Sequence, residues 1–377
     1  MLRIFAVKRV FDMNSYIWQE KDFPNFQLNI ERLSPILAKI KFSQGLLQGR
    51  LEAASKGECS QVVWHTLTEE IIRSSEIEGI RLDFSQVRSS VARHLGMNIA
   101  QVPVPRDVDG AVAMTLDATL NFAMPLTHER LFSWHSALFP SGYSGLAKIK
   151  VGGYREGAMQ IVSGAIGHEK IHYEAPAAPQ VHSMMDALLD YVNSSEDDDV
   201  IKAAVAHLWY VTIHPFDDGN GRIARALSEM LLCRSEGTDK KSYALSSTIN
   251  SSRKEYYQEL EITSQRSLDI TNWVEWFLKI LLDTLSDAEQ NLAKLSWQQR
   301  FWEEYQNFEF NSRQRKVIEK LLQGFEGKLT SSKWAKICHC SQDTAGRDLK
   351  ALMEADIIHK EGEGRGIYYI LNFKCHY

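Results

Sequence analysis

Apolar residues recur at helical spacing along most of the chain. Over 28–55 they stand at Leu28, Leu33, Ile36, Leu37, Ile40, Leu46, Leu47 and Leu51, which predicts an amphipathic helix. Residues 61–78 repeat the pattern with Val62, Val63, Leu67, Ile71, Ile72 and Ile77. Two more helices are expected at 84–96 and 108–122, separated by Pro103 and Pro105, which interrupt helical hydrogen bonding. The texture changes at 149–175, where the runs 149–155, 160–163 and 170–174 alternate and are spaced by Gly. They predict short strands forming a small hairpin, closed by Pro176 and Pro179, with a helix resuming near 180–193. Residues 199–213 are apolar on nearly every side (Val200, Ile201, Val205, Leu208, Trp209, Ile213), as in a fully buried helix. Further helices are expected at 219–235, 252–264 and 270–298.

The last stretch reads as a separate unit. Helices are expected at 313–323, 331–338 and 342–355, then a hairpin from 357–360 and 367–371 around Gly362 and Gly366. Residues 310–377 hold 12 basic and 8 acidic side chains, a net +4, against −9 for the rest.

The whole chain has 377 residues, 43 basic against 48 acidic, so its net charge is −5. That balance excludes bulk coating of nucleic acid, and the length suits two or three domains. Five cysteines with no CxxC pair exclude a disulfide scaffold and a four-cysteine zinc site. Cys338-His339-Cys340 resembles half a metal site and lacks the other half. No apolar run reaches the roughly 18 residues of a membrane helix, and the patch after Met1 is too short for a signal peptide. A cytoplasmic chain without a membrane partner is expected. Met13 precedes the first globular-looking stretch, so residues 1–12 read as an extension or a misassigned start.

Chemistry concentrates between the buried helix and the next, in His214-Pro-Phe-Asp-Asp-Gly-Asn-Gly-Arg-Ile-Ala-Arg225. Pro215 stops the first helix. Gly219, Asn220 and Gly221 let the backbone turn tightly and leave N–H groups at a helix start, where anions bind. Arg222 and Arg225 share a face of that helix and suit a polyphosphate. Asp218 offers the hard oxygen that Mg²⁺ prefers. His214 is the group with a near-neutral pKa, hence the natural general base. His207, two turns earlier on the same face, reads as a satisfied core histidine.

This stretch resembles the signature of the Fic family, His-Pro-Phe-x-(Asp/Glu)-Gly-Asn-Gly-Arg-x-x-Arg, with every fixed position met. The resemblance implies a mainly α protein with a helical Fic core over roughly 108–300, an N-terminal helical domain over 13–100, and a C-terminal winged-helix-like domain over 310–377. It implies a protein adenylyltransferase that moves AMP from ATP to a Tyr, Thr or Ser hydroxyl of a target protein. His214 would be catalytic. Gly219, Asn220, Gly221, Arg222, Arg225 and Tyr257 would bind nucleotide, and Asp218 would hold Mg²⁺. Phe216 would be a packing anchor. The 149–173 hairpin is similar to the family's flap, which clamps a target segment. Arg253, Tyr256 and Tyr257 resemble the segment bordering the base.

Ser74-Ser-Glu-Ile-Glu78-Gly79 is similar to the family's inhibitory motif, and places the chain in the class with an N-terminal inhibitory helix. The resemblance implies that Glu78 pairs with Arg225 where the outer phosphate would bind. Residues 16–97 resemble the uncharacterised helical domain that often precedes Fic cores. The target protein is not legible here, and self-modification and a homodimer are open. AMP removal at the same site, with Glu78 orienting a water, and a nucleotide-sensing transcription regulator are the alternatives. In the C-terminal unit Arg347, Lys350 and Arg365 suit DNA, while Asp343 and Asp348 oppose them. A protein-interaction module with the same fold is the other reading.

Overall fold

A computed structural model describes residues 16–97, 102–163, 170–265, 267–325 and 327–373. The expectations for residues 1–12 lie outside the described residues. The fold is mainly helical, as the hydrophobic pattern predicts, and backbone packing divides the chain into two units, 1–288 and 289–377. The stretches read as 13–100 and 108–300 lie in the first unit, apart from the end of the second.

The first unit starts with α1 (Ile30–Ala53), α2 (Lys56–Ile77), α3 (Phe84–His94), α4 (Arg106–Leu120) and α5 (His128–Leu138). Side-chain caps set several starts. Asn29 accepts the Arg32 N–H at 3.0 Å, and Ser55 and Glu58 form a reciprocal capping box, worth about 1 kcal/mol per cap. Two small sheets follow: β1 (Tyr143–Ser144) with β2 (Ala147–Lys148), and β3 (Gln160–Ser163) with β4 (Lys170–Glu174), each antiparallel.

The expected strand at 149–155 is absent. That segment is a loop: its Lys150 and Arg155 N–H groups donate to the Asp217 carboxylate and the Pro215 carbonyl, both at 2.9 Å, rather than to a neighbouring strand. Next come α6 (Ala178–Ser194), α7 (Asp199–Ile213), α8 (Asn220–Glu236), α9 (Leu245–Ser251) and α10 (Arg253–Ser264). Pro179 does not end the preceding sheet but opens α6, in the first turn where its missing N–H costs nothing.

α7 is the axis of this unit. Thirteen of its fifteen residues are buried, so it cannot face water on any side. α8 is its main neighbour. α11 (Thr271–Glu304) docks on it through the buried Trp273, whose indole N–H donates to the Ala204 carbonyl at 2.7 Å. α2 is fixed against α9 by Glu70, which accepts the Ser246 N–H at 2.9 Å. Burial, aided by Glu229, pushes the Glu70 carboxyl up to about 8.

The second unit holds the end of α11, then α12 (Ser312–Leu322), α13 (Ser331–Cys338), α14 (Gln342–Glu354) and the hairpin β5 (Ile358–Glu361) with β6 (Tyr368–Leu371). Phe301, Val317, Ile318, Trp334, Leu349 and Leu352 form its core. Asp348 does not add negative charge to the surface of α14. It is 5% exposed and holds Arg313 at 2.7 Å and Asn311 at 2.9 Å.

Candidate functional site

α7 ends at His214, which adopts a left-handed backbone conformation with φ +50°. A residue with a Cβ there is strained, and Pro215 prevents the helix from continuing. Arg155 holds the bend from inside. It is 3% exposed, and its Nε donates to the His214 carbonyl at 2.8 Å. Its other nitrogens donate to the carbonyls of Gly157 (2.8 Å), Pro176 (2.6 Å) and Ile213 (3.3 Å). Its own N–H donates to the Pro215 carbonyl at 2.9 Å. Sequence reasoning missed Arg155. Its one signal, an Arg inside a Gly-rich stretch, has no meaning until the chain is folded.

The loop is then stapled by Asn220. Its Oδ1 accepts the Phe216 N–H at 3.0 Å and its Nδ2 donates to the Phe216 carbonyl at 2.8 Å. The Asn220 side chain is therefore occupied by the loop, and its backbone is what remains for a ligand. Phe216 is fully buried and stacks on His135 at 4.2 Å, with the rings 6° from parallel. Gly219 sits at φ +82°, and a Cβ there would come within 2.8 Å of the Phe139 ring. It is the N-cap of α8 and supplies no capping side chain, so the helix start keeps unpaired N–H groups and a partial positive charge.

His214 Nδ1 lies 3.2 Å from the Val211 carbonyl oxygen. A carbonyl only accepts, so Nδ1 carries the proton in the neutral ring and Nε2 keeps its lone pair. Burial pushes this imidazole down to about 4; the Val211 contact works against that shift and the nearby Arg155 adds to it. The ring is therefore neutral at pH 7. Asp218 accepts the Ser144 hydroxyl and, at 2.6 Å, the Gly219 N–H. One carboxylate with lone pairs left over fits Mg²⁺, which takes one or two protein carboxylates and keeps water and phosphate oxygens.

Glu78, just past the end of α2, reaches this joint. Its Oε1 is 2.9 Å from Arg225 Nη2. A Cβ on Gly221 would fall 2.1 Å from that same oxygen, so the carboxylate lies directly against the first turn of α8. Arg225 is 1% exposed and also donates to the Ser74 hydroxyl (2.9 Å) and carbonyl (2.7 Å). The Tyr257 hydroxyl is 3.1 Å from the Ile77 carbonyl and 3.5 Å from Glu78 Oε2. Tyr256 is core: it lies 2.9 Å from His207 Nε2, whose Nδ1 meets Ser228 at 3.0 Å.

A cavity of about 320 Å³ is lined by Glu78, His214, Asp218, Gly219, Asn220, Gly221 and Tyr257, with Met159, Ile161 and His172 of the β3–β4 region. The two arginines do not share it. Arg222 lies over the Phe139 ring at 5.1 Å and lines a neighbouring space of about 570 Å³ with Asp218 and Ser144. Arg225 is covered by Glu78. Within the described residues the β3–β4 sheet has two strands. On β4 the His172 and Glu174 carbonyls are taken by Gln265 and Trp18.

Residues 125–232 match the Fic/DOC family, and residues 16–97 match a domain of unknown function, DUF4172. A protein of Caenorhabditis briggsae named Protein adenylyltransferase fic-1 is 39% identical over 64 residues, 16% of this chain and 13% of that protein. The Drosophila grimshawi Protein adenylyltransferase Fic is 25% identical over 249 residues, 60% of this chain and 45% of its own length. The chain thus spans less than half of these relatives. A solved Fic family protein from Desulfovibrio desulfuricans G20 superposes with a TM-score of 0.52 at 21% identity, covering 91% of this chain and 98% of the other. It shares the fold.

Proposed function

We propose, for a chain whose residues 125–232 belong to the Fic/DOC family, that it is a protein adenylyltransferase taking AMP from ATP, restrained by Glu78. One observation carries this reading. An imidazole with its Nε2 lone pair free lines the same cavity as an uncapped helix start and a carboxylate. Those are the parts needed to take a proton, bind phosphate and hold Mg²⁺.

In this mechanism His214 Nε2 accepts the proton of a Tyr, Thr or Ser hydroxyl on the target. The hydroxyl oxygen bonds to the α-phosphorus, and the bond from that phosphorus to the bridging oxygen breaks, releasing diphosphate. Asp218 would hold Mg²⁺, whose charge offsets that of the phosphates. The N–H groups around Gly219–Gly221 cradle the phosphates. Arg225, once Glu78 leaves it, and Arg222, from the adjoining space that it lines with Asp218, neutralise the outer ones. Tyr257 borders the nucleotide. The β3 edge pairs with an extended target segment, as strand addition requires. Acceleration comes from positioning and fixed charge rather than from a covalent intermediate on the enzyme.

Glu78 places a carboxylate where the outer phosphate belongs and ties up Arg225. ATP bound beside it is displaced, and a shift of about 1 Å costs about a hundredfold in rate. Glu78 also lines the cavity with His214, which favours a second reading in which it orients a water to remove AMP from a modified protein.

The test is intact-protein mass after incubation with ATP and Mg²⁺, for wild type, Glu78→Gly and Glu78→Gly/His214→Ala, alone and with an added cell extract as target source. AMP added by Glu78→Gly, weakly by wild type and not by the double variant supports the proposal. AMP transfer that persists without His214 overturns it. Release of AMP from a modified protein by wild type, lost in Glu78→Gly, would select the second reading.

A further inference from the structure

The start of α5 and the first half of α6 meet at a side-chain cluster that the mechanism above does not use. His128 is the first residue of α5, behind the Thr127 cap. His182 and Asp186 stand one turn apart on α6. Asp186 joins the two rings: Oδ1 is 2.8 Å from His128 Nε2, and Oδ2 is 3.2 Å from His182 Nδ1. The ring centroids are 4.5 Å apart. One ligand atom from each of the three residues can be chosen so that all lie within 4.8 Å of one another.

We propose that His128, His182 and Asp186 form a binding site for a borderline divalent ion of the Zn²⁺ class, completed by water. Two imidazoles and one carboxylate are a donor set for such ions, whereas Mg²⁺ and Ca²⁺ favour oxygen alone. His128 is already oriented from behind, because its Nδ1 lies 2.6 Å from the Tyr154 hydroxyl. Metal-binding histidines characteristically have such a partner on the other ring nitrogen. His182 and Asp186 are exposed, with side chains 68% and 57% accessible, so an ion can enter without opening the fold.

Binding needs a change of tautomer. With the ring neutral, His128 Nε2–H donates to Asp186 and Nδ1 accepts the Tyr154 hydroxyl. When Nε2 ligates the ion, the ring keeps its one proton, now on Nδ1, where it donates to the Tyr154 oxygen. Tyr154 keeps its own hydroxyl proton, turned away from the ring, so no net proton is released. Tyr154 is buried and packs on Phe132 (4.8 Å) and Phe216 (5.4 Å). The ion would therefore fasten α5 to α6 through groups that also support the His214 loop.

The test is calorimetric titration of the full chain with Zn²⁺, and with Mg²⁺ as control, for wild type, His182→Ala and Asp186→Asn. The altered side chains are exposed, and circular dichroism checks the fold. The expected result is a wild-type site of one Zn²⁺ per chain that each variant weakens by roughly tenfold or more, with no such difference for Mg²⁺. Visible absorption of the Co²⁺-loaded protein should change in the same variants. Zn²⁺ isotherms that superimpose for wild type and both variants, or no Zn²⁺ uptake by wild type, overturn the proposal.

Discussion

Twice among the described residues, one helix passes into another through a histidine in the same unusual conformation. His214 ends α7 and His339 ends α13, both with φ +50°. The two joints then diverge. After His339, Ser341 caps α14 by accepting the Thr344 N–H at 3.2 Å, and the histidine itself is exposed. After His214, Gly219 caps α8 with no side chain, the histidine is drawn into a cavity, and a buried arginine holds the bend. One joint satisfies its own backbone groups and is finished as a structure. The other leaves helix N–H groups open and reaches elsewhere for support. A left-handed histidine is thus no functional mark by itself; what separates the two joints is an open helix start together with the cavity that His214 lines.

The contrast can be tested from its strongest consequence to its weakest. In a Glu78→Gly background, His214→Ala should lower AMP transfer by about 10²- to 10⁴-fold, the usual range for a general base, whereas His339→Ala should leave the rate unchanged. Glu78→Gly alone should raise transfer by about a hundredfold, read as initial rate at saturating ATP. Arg155→Met should lower transfer in that background by about tenfold through a loosened bend. It should also lower the melting temperature, since four carbonyls lose hydrogen bonds to a charged donor worth ~1.5–3 kcal/mol each.

The pH dependence of stability has two limbs. Burial holds His135, His207 and His214 at about 4, 3 and 4 in the fold, against about 6.5 unfolded. As pH falls below 6.5 the unfolded chain binds more protons, so stability drops on the acid side. Glu70, raised to about 8, acts oppositely: its folded carboxyl stays protonated while the unfolded one ionises, so stability is lost as pH rises from about 4.5 to 8. Urea midpoints measured from pH 4 to 8.5 should therefore peak near 6.5. The smallest effect expected is Ser341→Ala, about 1 kcal/mol from a lost cap, seen in thermal melting with no change in transfer.

Much of this was legible before folding, for identifiable reasons. α7 could be bounded as 199–213 because it is apolar all round and Pro215 follows it. The Gly-Asn-Gly turn announces an open helix start, and Glu78 stands beside a glycine at a helix end. What could not be read depends on distant partners. The 149–155 run alternates like a strand, yet Lys150 N–H goes to the Asp217 carboxylate at 2.9 Å, and the Arg155 side chain serves carbonyls up to 59 residues away. α5 went unread although Thr127, Leu131, Trp134 and Leu138 carry a cap and helical spacing. The short α9 has too few turns to show a period. The separation of Arg222 from Arg225 depends on Phe139 and Glu78, which spacing along one helix cannot reveal.

Three of the groups bonded to Arg225 come from the last turn of α2 and the residue just past it: the Ser74 hydroxyl, the Ser74 carbonyl and the Glu78 carboxylate. Two ways of freeing the arginine are therefore not equivalent. Substitution at 78 deletes one contact and leaves the guanidinium anchored by Ser74, still aimed. Withdrawal of α2 as a rigid piece would strip all three together and leave a buried cation searching for a new counter-ion. A partner protein that pulls on α2 would produce a state that needs an anionic ligand to become orderly, whereas the point variant would be preset before any ligand arrives.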